Sequence, residues 1–152
     1  MKKIAASIRS VVDEAYNHLV NMPIEEVERR DTPDSWSKKQ ILGHLIDSAA
    51  NNHQRFVRAS SDQAMDFPPY DQIAWARVQQ CNEADWGNLV ALWSAYNRHL
   101  CHLVERIPES AYANPCNIGQ PEPVTLEFVV ADYLRHLKHH LHDLLGDGDL
   151  GD

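Results

Sequence analysis

Residues Thr125 to Gly146 read TLEFVVADYLRHLKHHLHDLLG, and the period of this stretch decides the fold. Leu126, Val130, Leu134, Leu137, Leu141 and Leu145 recur at spacings of three and four, which places them on one stripe of an α-helix and on no single face of a strand. Thr125 is a natural N-cap and Gly146 a natural stop. Within the stretch, His136 and His140 stand one turn apart on the same face, so both imidazoles can reach a single point. At about 100° per residue, the apolar arc centres near Leu126, Leu137 and Leu144. His140 lies at its flank and His136 at its edge, bordered by Val129 and Tyr133. Asp132, Arg135, Lys138 and His139 fall outside it.

Three more helices are predicted upstream. In the first, Ile4, Ile8, Val11, Ala15, Leu19 and Met22 keep the same spacing until Pro23. The second opens at Ser37, where Ser37-Lys38-Lys39-Gln40 resembles a capping box, and runs through Ile41, Leu45, Ala49 and Phe56 to about Ala59. The third, near Glu83 to Ile107, carries Leu89, Trp93, Tyr96, Leu100, Leu103 and Ile107 and ends at Pro108. No convincing strand remains, so the chain reads as all-α, a four-helix bundle with long connections. Residues 1–146 form its single domain, and the acidic, glycine-rich residues 147–152 read as a flexible tail.

Two connections are long. Ser60 to Gln80 includes Pro68-Pro69-Tyr70-Asp71 and Trp75, too long for a minimal turn and too aromatic for a disordered linker. It reads either as a binding loop or lid, or as a short extra helix around Ile73 to Val78. Glu109 to Pro123, rich in proline, reads as a rigid crossover.

On the second helix, His44 sits at the edge of the arc formed by Ile41, Leu45, Ala49 and Phe56. Ser48, Asn52 and Arg55 follow it along the same side. Polar groups at core-facing positions are costly unless bonded or lining a wet cavity, so this stripe predicts a substrate pocket beside the histidines. A guanidinium in such a pocket grips carboxylates through two parallel hydrogen bonds. Arg55 could equally pair with Asp47 or another acidic residue of the bundle. Three neutral imidazoles, His44, His136 and His140, would hold a divalent ion and leave positions open for water or substrate. Zinc or nickel come first, with iron and cobalt also compatible with imidazole. Spacing alone does not place the third ligand. His18, His53, His99, His102 and His142 are set aside as ligands, and His139 projects about 100° away from His140.

Composition limits the setting. At 152 residues, with 43% hydrophobic and 24% charged residues, the chain suits one domain with a real core. A formal net charge of -8 argues against a nucleic-acid partner. No apolar run approaches the roughly 20 residues that span a bilayer, and no signal peptide follows Lys2 and Lys3. The reading is a cytoplasmic protein with no membrane partner. Cys81, Cys101 and Cys116 are odd in number and lack CxxC spacing, so reduced thiols are expected. Cys101 lies beside the core stripe and reads as a small hydrophobe. Trp36, Trp86, Trp93, Tyr96 and Tyr133 read as core or loop-packing residues.

The run Trp36-Ser37-Lys38-Lys39-Gln40-Ile41-Leu42-Gly43-His44-Leu45-Ile46-Asp47, then Arg55, resembles the DinB/YfiT-like family of four-helix metal-binding proteins. Pro115, Gly119, Thr125-Leu126 and His136-Leu137-Lys138-His139-His140 continue the likeness to about Leu145. The resemblance implies a metal triad of His44, His136 and His140, an up-up-down-down bundle and a homodimer. One departure stands out: family members commonly follow the last motif with glutamine, where this chain has Leu141-His142-Asp143. Family function divides between transfer to low-molecular-weight thiols and metal-dependent hydrolysis. The leading expectation is a thiol-S-transferase type of enzyme, with the ion activating a thiolate and Arg55 with Asn52 anchoring a carboxylate of the thiol. Hydrolysis would need a base within reach, Asp47 or Asp132, and Asp47 could instead hold a histidine tautomer. A non-catalytic metal-binding stress protein is the third reading, and a closed apolar cavity would favour it.

Overall fold

The computed structural model describes residues 1–32, 34–61, 65–67 and 69–146, so the expected tail at 147–152 lies outside the described residues. Four long helices carry the fold: α1 (Lys2–Leu19), α3 (Lys38–Ala59), α5 (Trp86–Val104) and α6 (Leu126–Leu145). Two short ones, α2 (Ile24–Glu28) and α4 (Gln72–Gln79), lie in the connections. Among the described residues no helix is long and apolar enough to cross a membrane.

Local sequence sets the helix starts. At α3 the Ser37 hydroxyl accepts from the Gln40 amide while the Gln40 side chain accepts from the Ser37 amide, closing the capping box read from the sequence. Asp71, Asp85 and Thr125 cap α4, α5 and α6 in the same way with one side chain each. The apolar stripes then meet around Ile8, Phe56, Trp93, Leu137 and Leu141, all fully buried. Deep burial of each such side chain is worth about 1.5–3 kcal/mol, which is why amphipathic helices of this length stand only when packed.

Going round the bundle the order is α1, α5, α3, α6, since the main contacts join α1 to α5 and α6, and α3 to the same two. Trp86 Nε1 donates to the Leu19 carbonyl at one end and Arg9 pairs with Glu105 at the other, so α1 and α5 are antiparallel. The His53 ring meets Tyr96 and His99 edge-on, and Gly43 lies against Cys81, which makes α3 and α5 parallel. His44 meets His136 and Phe56 meets Tyr133, so α3 and α6 are antiparallel. The helices therefore run up, down, down, up. This corrects the up-up-down-down order implied by family resemblance. The reversal from α1 to α3 takes only α2 and its flanks. It is the segment between α3 and α5 that returns the length of the bundle, as a single long crossover.

That crossover is not a bare loop. β1 (Met65–Asp66) pairs in parallel with β2 (Pro115–Asn117), which pairs antiparallel with β3 (Val124–Thr125). Strands this short have no alternation to read, which is why the sequence showed none. They staple the crossover to the segment before α6. The α4 helix covers the expected Ile73–Val78 and holds the aromatic stretch against α3.

Candidate metal centre

His44 enters from the first turns of α3 and His136 and His140 from the last turns of α6, at the end of the bundle where the two antiparallel helices meet. One ring nitrogen from each of the three lies within 4.8 Å of the others. The Nε2 atoms of His44 and His136 are 3.2 Å apart. Two donors bound to one ion at roughly 2.0–2.1 Å stand about 3.0–3.4 Å apart in tetrahedral or octahedral geometry, so this spacing fits a shared ion. The remaining nitrogens are turned outward. His136 Nδ1 faces Ser48 Oγ at 3.4 Å, and His140 Nδ1 faces Asp143 Oδ2 at 3.4 Å. His44 Nδ1 is buried with no hydrogen-bond partner among the described residues, while Trp36 packs beside its ring at 5.5 Å between centroids.

Burial also sets the charge state. It pushes His44 and His136 down to about 4, and the neighbouring His140 lowers both further. His140 is itself lowered, by burial first and by His139 second. All three imidazoles are therefore neutral near pH 7 with lone pairs available, the form a metal requires. The donor set, spacing and protonation fit a divalent ion.

From His44 and His136 a cavity of about 160 Å³ runs down the groove between α3 and α6. Ser48, Asn52 and Arg55 line it as the polar stripe predicted, joined by Asn51, Asp132 and Tyr133. Asn52 Nδ2 donates to the Ser48 carbonyl at 2.9 Å, which holds the stripe in place. Tyr70 and Gln72 close the cavity from the crossover. Both fall in the Ser60 to Gln80 connection read as a binding loop or a short extra helix, a reading that named neither of them as a lining residue. Tyr133 is both wall and core, its hydroxyl donating to the buried Asn97.

Arg55 is the unusual member. Among the described residues its buried Nε has no hydrogen-bond partner and its guanidinium forms no ion pair. The expected alternative partner is engaged elsewhere: both oxygens of Asp47 accept from Gln79 Nε2, at 2.9 and 2.8 Å. Asp47 also lies outside this cavity and holds no histidine tautomer. Burial raises its pKa. Arg55 instead sits over the Phe67 ring, 5.8 Å from its centroid. Cys101 is fully buried in the core and plays no part in the site.

Three imidazoles gathered at one end of a four-helix bundle, above a polar cleft, define a bundle protein of the metal-centre class. The chain belongs to the DinB superfamily, whose family model matches residues 8–144. It is 26% identical over 115 residues to YfiT of Bacillus subtilis, covering 73% of this chain and 65% of that one. It is 22% identical over 125 residues to OB0782 of Oceanobacillus iheyensis, covering 82% and 72%. Both relatives carry the name "putative metal-dependent hydrolase". The chain thus spans about two thirds of the length of YfiT. A solved structure of YfiT, described as having "an unusual four-helix bundle topology", aligns with a TM-score of 0.84 at 21% identity over 94% of this chain and 82% of that one. That likeness establishes the shared fold.

Proposed function

We propose that this chain is a metal-dependent enzyme of the thiol-S-transferase type, acting with a small thiol that carries a carboxylate. The observation that carries this reading is Arg55, a half-buried cation in the cavity that begins at the histidine triad, with its buried Nε lacking a hydrogen-bond partner and no ion pair among the described residues. An uncompensated charge in such a place is costly, and a bidentate carboxylate from a ligand satisfies it. His44, His136 and His140 are the proposed metal ligands, with Ser48, Asn52 and Arg55 as the substrate contacts. A divalent ion held there supplies Lewis acidity and lowers the pKa of a thiol or water at its open positions. Ser48 Oγ, facing His136 Nδ1, fixes the ring so that Nε2 points inward. Tyr70 and Gln72 limit water entry from the crossover side. In the transfer the thiol proton leaves to solvent, sulfur forms a bond to an electrophilic carbon, and the leaving group departs with its bonding pair. No protein base is required.

Hydrolysis is the second reading, favoured by Asp132 on the same cavity wall as His136 and by the names of the relatives. Asp132 would take the proton from water. A polar cavity with a half-buried guanidinium is a poor fit to the third reading, a non-catalytic metal-binding stress protein with a closed apolar cavity. A homodimer belongs to the same proposal, supported by exposed Ile73, Trp75 and Val78 on and beside the crossover helix.

The test uses tag-free, cobalt-loaded protein. Mercaptoacetate should bind and give a thiolate charge-transfer band at lower concentration than 2-mercaptoethanol, and Arg55→Met should erase that preference. Equal affinities in the wild type would sink the carboxylate-thiol reading. Turnover of esters or amides without thiol, lost in Asp132→Asn, would select hydrolysis instead.

A further inference from the structure

The outer side of His140 gathers a second set of donors. His139 and Asp143 are four residues apart on α6 and so project together, with His140 beside them. Asp143 Oδ2 lies 3.4 Å from His140 Nδ1 and 3.6 Å from His139 Nε2. One donor atom from each of the three lies within 4.8 Å of the others. Both carboxylate contacts are long for a hydrogen bond yet close to the spacing of two ligands on one ion, about 3.0–3.5 Å. A second observation points the same way. Asp143 stands in the last turn of α6, where the helix dipole disfavours a carboxylate and favours a cation. No lysine or arginine is paired with it among the described residues.

We propose that His139, His140 Nδ1 and Asp143 form a second, weaker, solvent-facing site for a divalent transition-metal ion, joined to the inner triad through the His140 ring. The division of labour follows from the ring itself, since Nε2 serves the inner centre and Nδ1 the outer one. With the inner site empty, the ring binds through Nδ1 and keeps its proton on Nε2. With both filled, the Nδ1 proton is released to solvent and the imidazolate bridges the two ions. Exposure makes the site weaker: the His139 and Asp143 side chains are 68% and 42% accessible, so water competes for the ion and the side chains lose rotamer freedom on binding. The departure from the family pattern noted at Leu141-His142-Asp143 supplies the carboxylate.

Titration of the tag-free full chain with Zn²⁺ is expected to show a tight first equivalent and a weaker second. His139→Ala and Asp143→Ala should each remove the second and leave the first. His44→Ala should remove the first and leave the second. Both outer positions are on the surface, and unchanged circular dichroism will show that the variants fold. The shared ring gives an independent readout: cobalt loaded to one equivalent should change its visible spectrum when Zn²⁺ is added, in the wild type and not in Asp143→Ala. A single equivalent in the wild type, or a second that survives both outer substitutions, overturns the proposal. A weak outer equivalent with no tight one supports the outer site while overturning the inner triad.

Discussion

Arg55 holds two properties in conflict, a fixed positive charge and a half-buried place in a cavity where it forms no ion pair among the described residues, the lining carboxylate of Asp132 being bonded to Arg135 instead. Burial pulls its pKa below the ordinary value, yet a guanidinium stays charged at any physiological pH. A charge held there at a cost in stability supports the ligand-binding role proposed for Arg55. Arg55→Met should therefore raise the free energy of unfolding by about 1 kcal/mol, read from urea midpoints, while removing carboxylate binding. A loss of stability would show that the guanidinium has a structural partner. Ser48 makes a smaller, complementary case. Its hydroxyl is the group facing His136 Nδ1, so Ser48→Ala should weaken metal binding roughly 10-fold, measured by chelator competition, with the fold intact. The pair His136 and His140 was legible because a spacing of four on a helix needs no tertiary information, and the stripe from His44 to Arg55 because polar residues interrupted an apolar arc. That His44 completes the set came from the family resemblance, since spacing alone does not place a third ligand. His139 and Asp143 were not legible as donors, because the helical pattern that marks an inward-facing site excludes side chains on the polar face. An outer site is built from just those side chains.

Helix α3 shows how an element delivers its residues to such a site. Its first turn is fixed by the capping box at Ser37, itself fully buried, and its second turn passes so close to the segment before α5 that a side chain at position 43 would displace Cys81. A methyl group there would run into Cys81 Sγ. The close pass sets where His44, the next residue, enters the triad. Gly43→Ala should cost about 1–3 kcal/mol through overpacking, measured by thermal or urea unfolding, and the double variant Gly43→Ala with Cys81→Ala should recover most of it. A cost that persists in the double variant would place the strain in the backbone instead. The capping box was readable because it is local chemistry over four residues. Gly43 was not, since its constraint comes from a residue 38 positions away. The same limit explains the helix order: periodicity identifies four stripes but says nothing of which neighbours are parallel, and that was settled by the return of the crossover along the bundle.

Across the whole molecule, the triad links metal, pH and stability. His44 and His136 fall from an ordinary value of 6.5 to about 4 in the folded chain, chiefly through burial. The unfolded chain thus binds more protons than the folded one between about pH 6.5 and 4, and stability rises with pH across that window. The contribution is complete above the unfolded value and is lost as pH falls through the folded one. Asp47 acts in the opposite sense: its pKa is raised by burial, so its contribution favours the folded state at low pH and fades as pH rises. The histidines act together and Asp47 alone, so the metal-free protein should lose stability steadily from pH 7 to pH 4.5. Replacing both His44 and His136 with glutamine should flatten that slope. Ligand linkage adds the final term. A divalent ion at 100 times its dissociation constant stabilises the folded state by about 2.7 kcal/mol, and protonation of the imidazoles opposes its binding. Urea midpoints measured with and without Zn²⁺ should therefore lie apart at pH 7.5 and converge toward pH 4.5, with no separation at any pH in the double variant His136→Ala with Asp143→Ala, which lacks a ligand of each proposed site. A separation that persists in that variant at pH 7.5 would mean that the stabilising ion binds elsewhere than at these two sites.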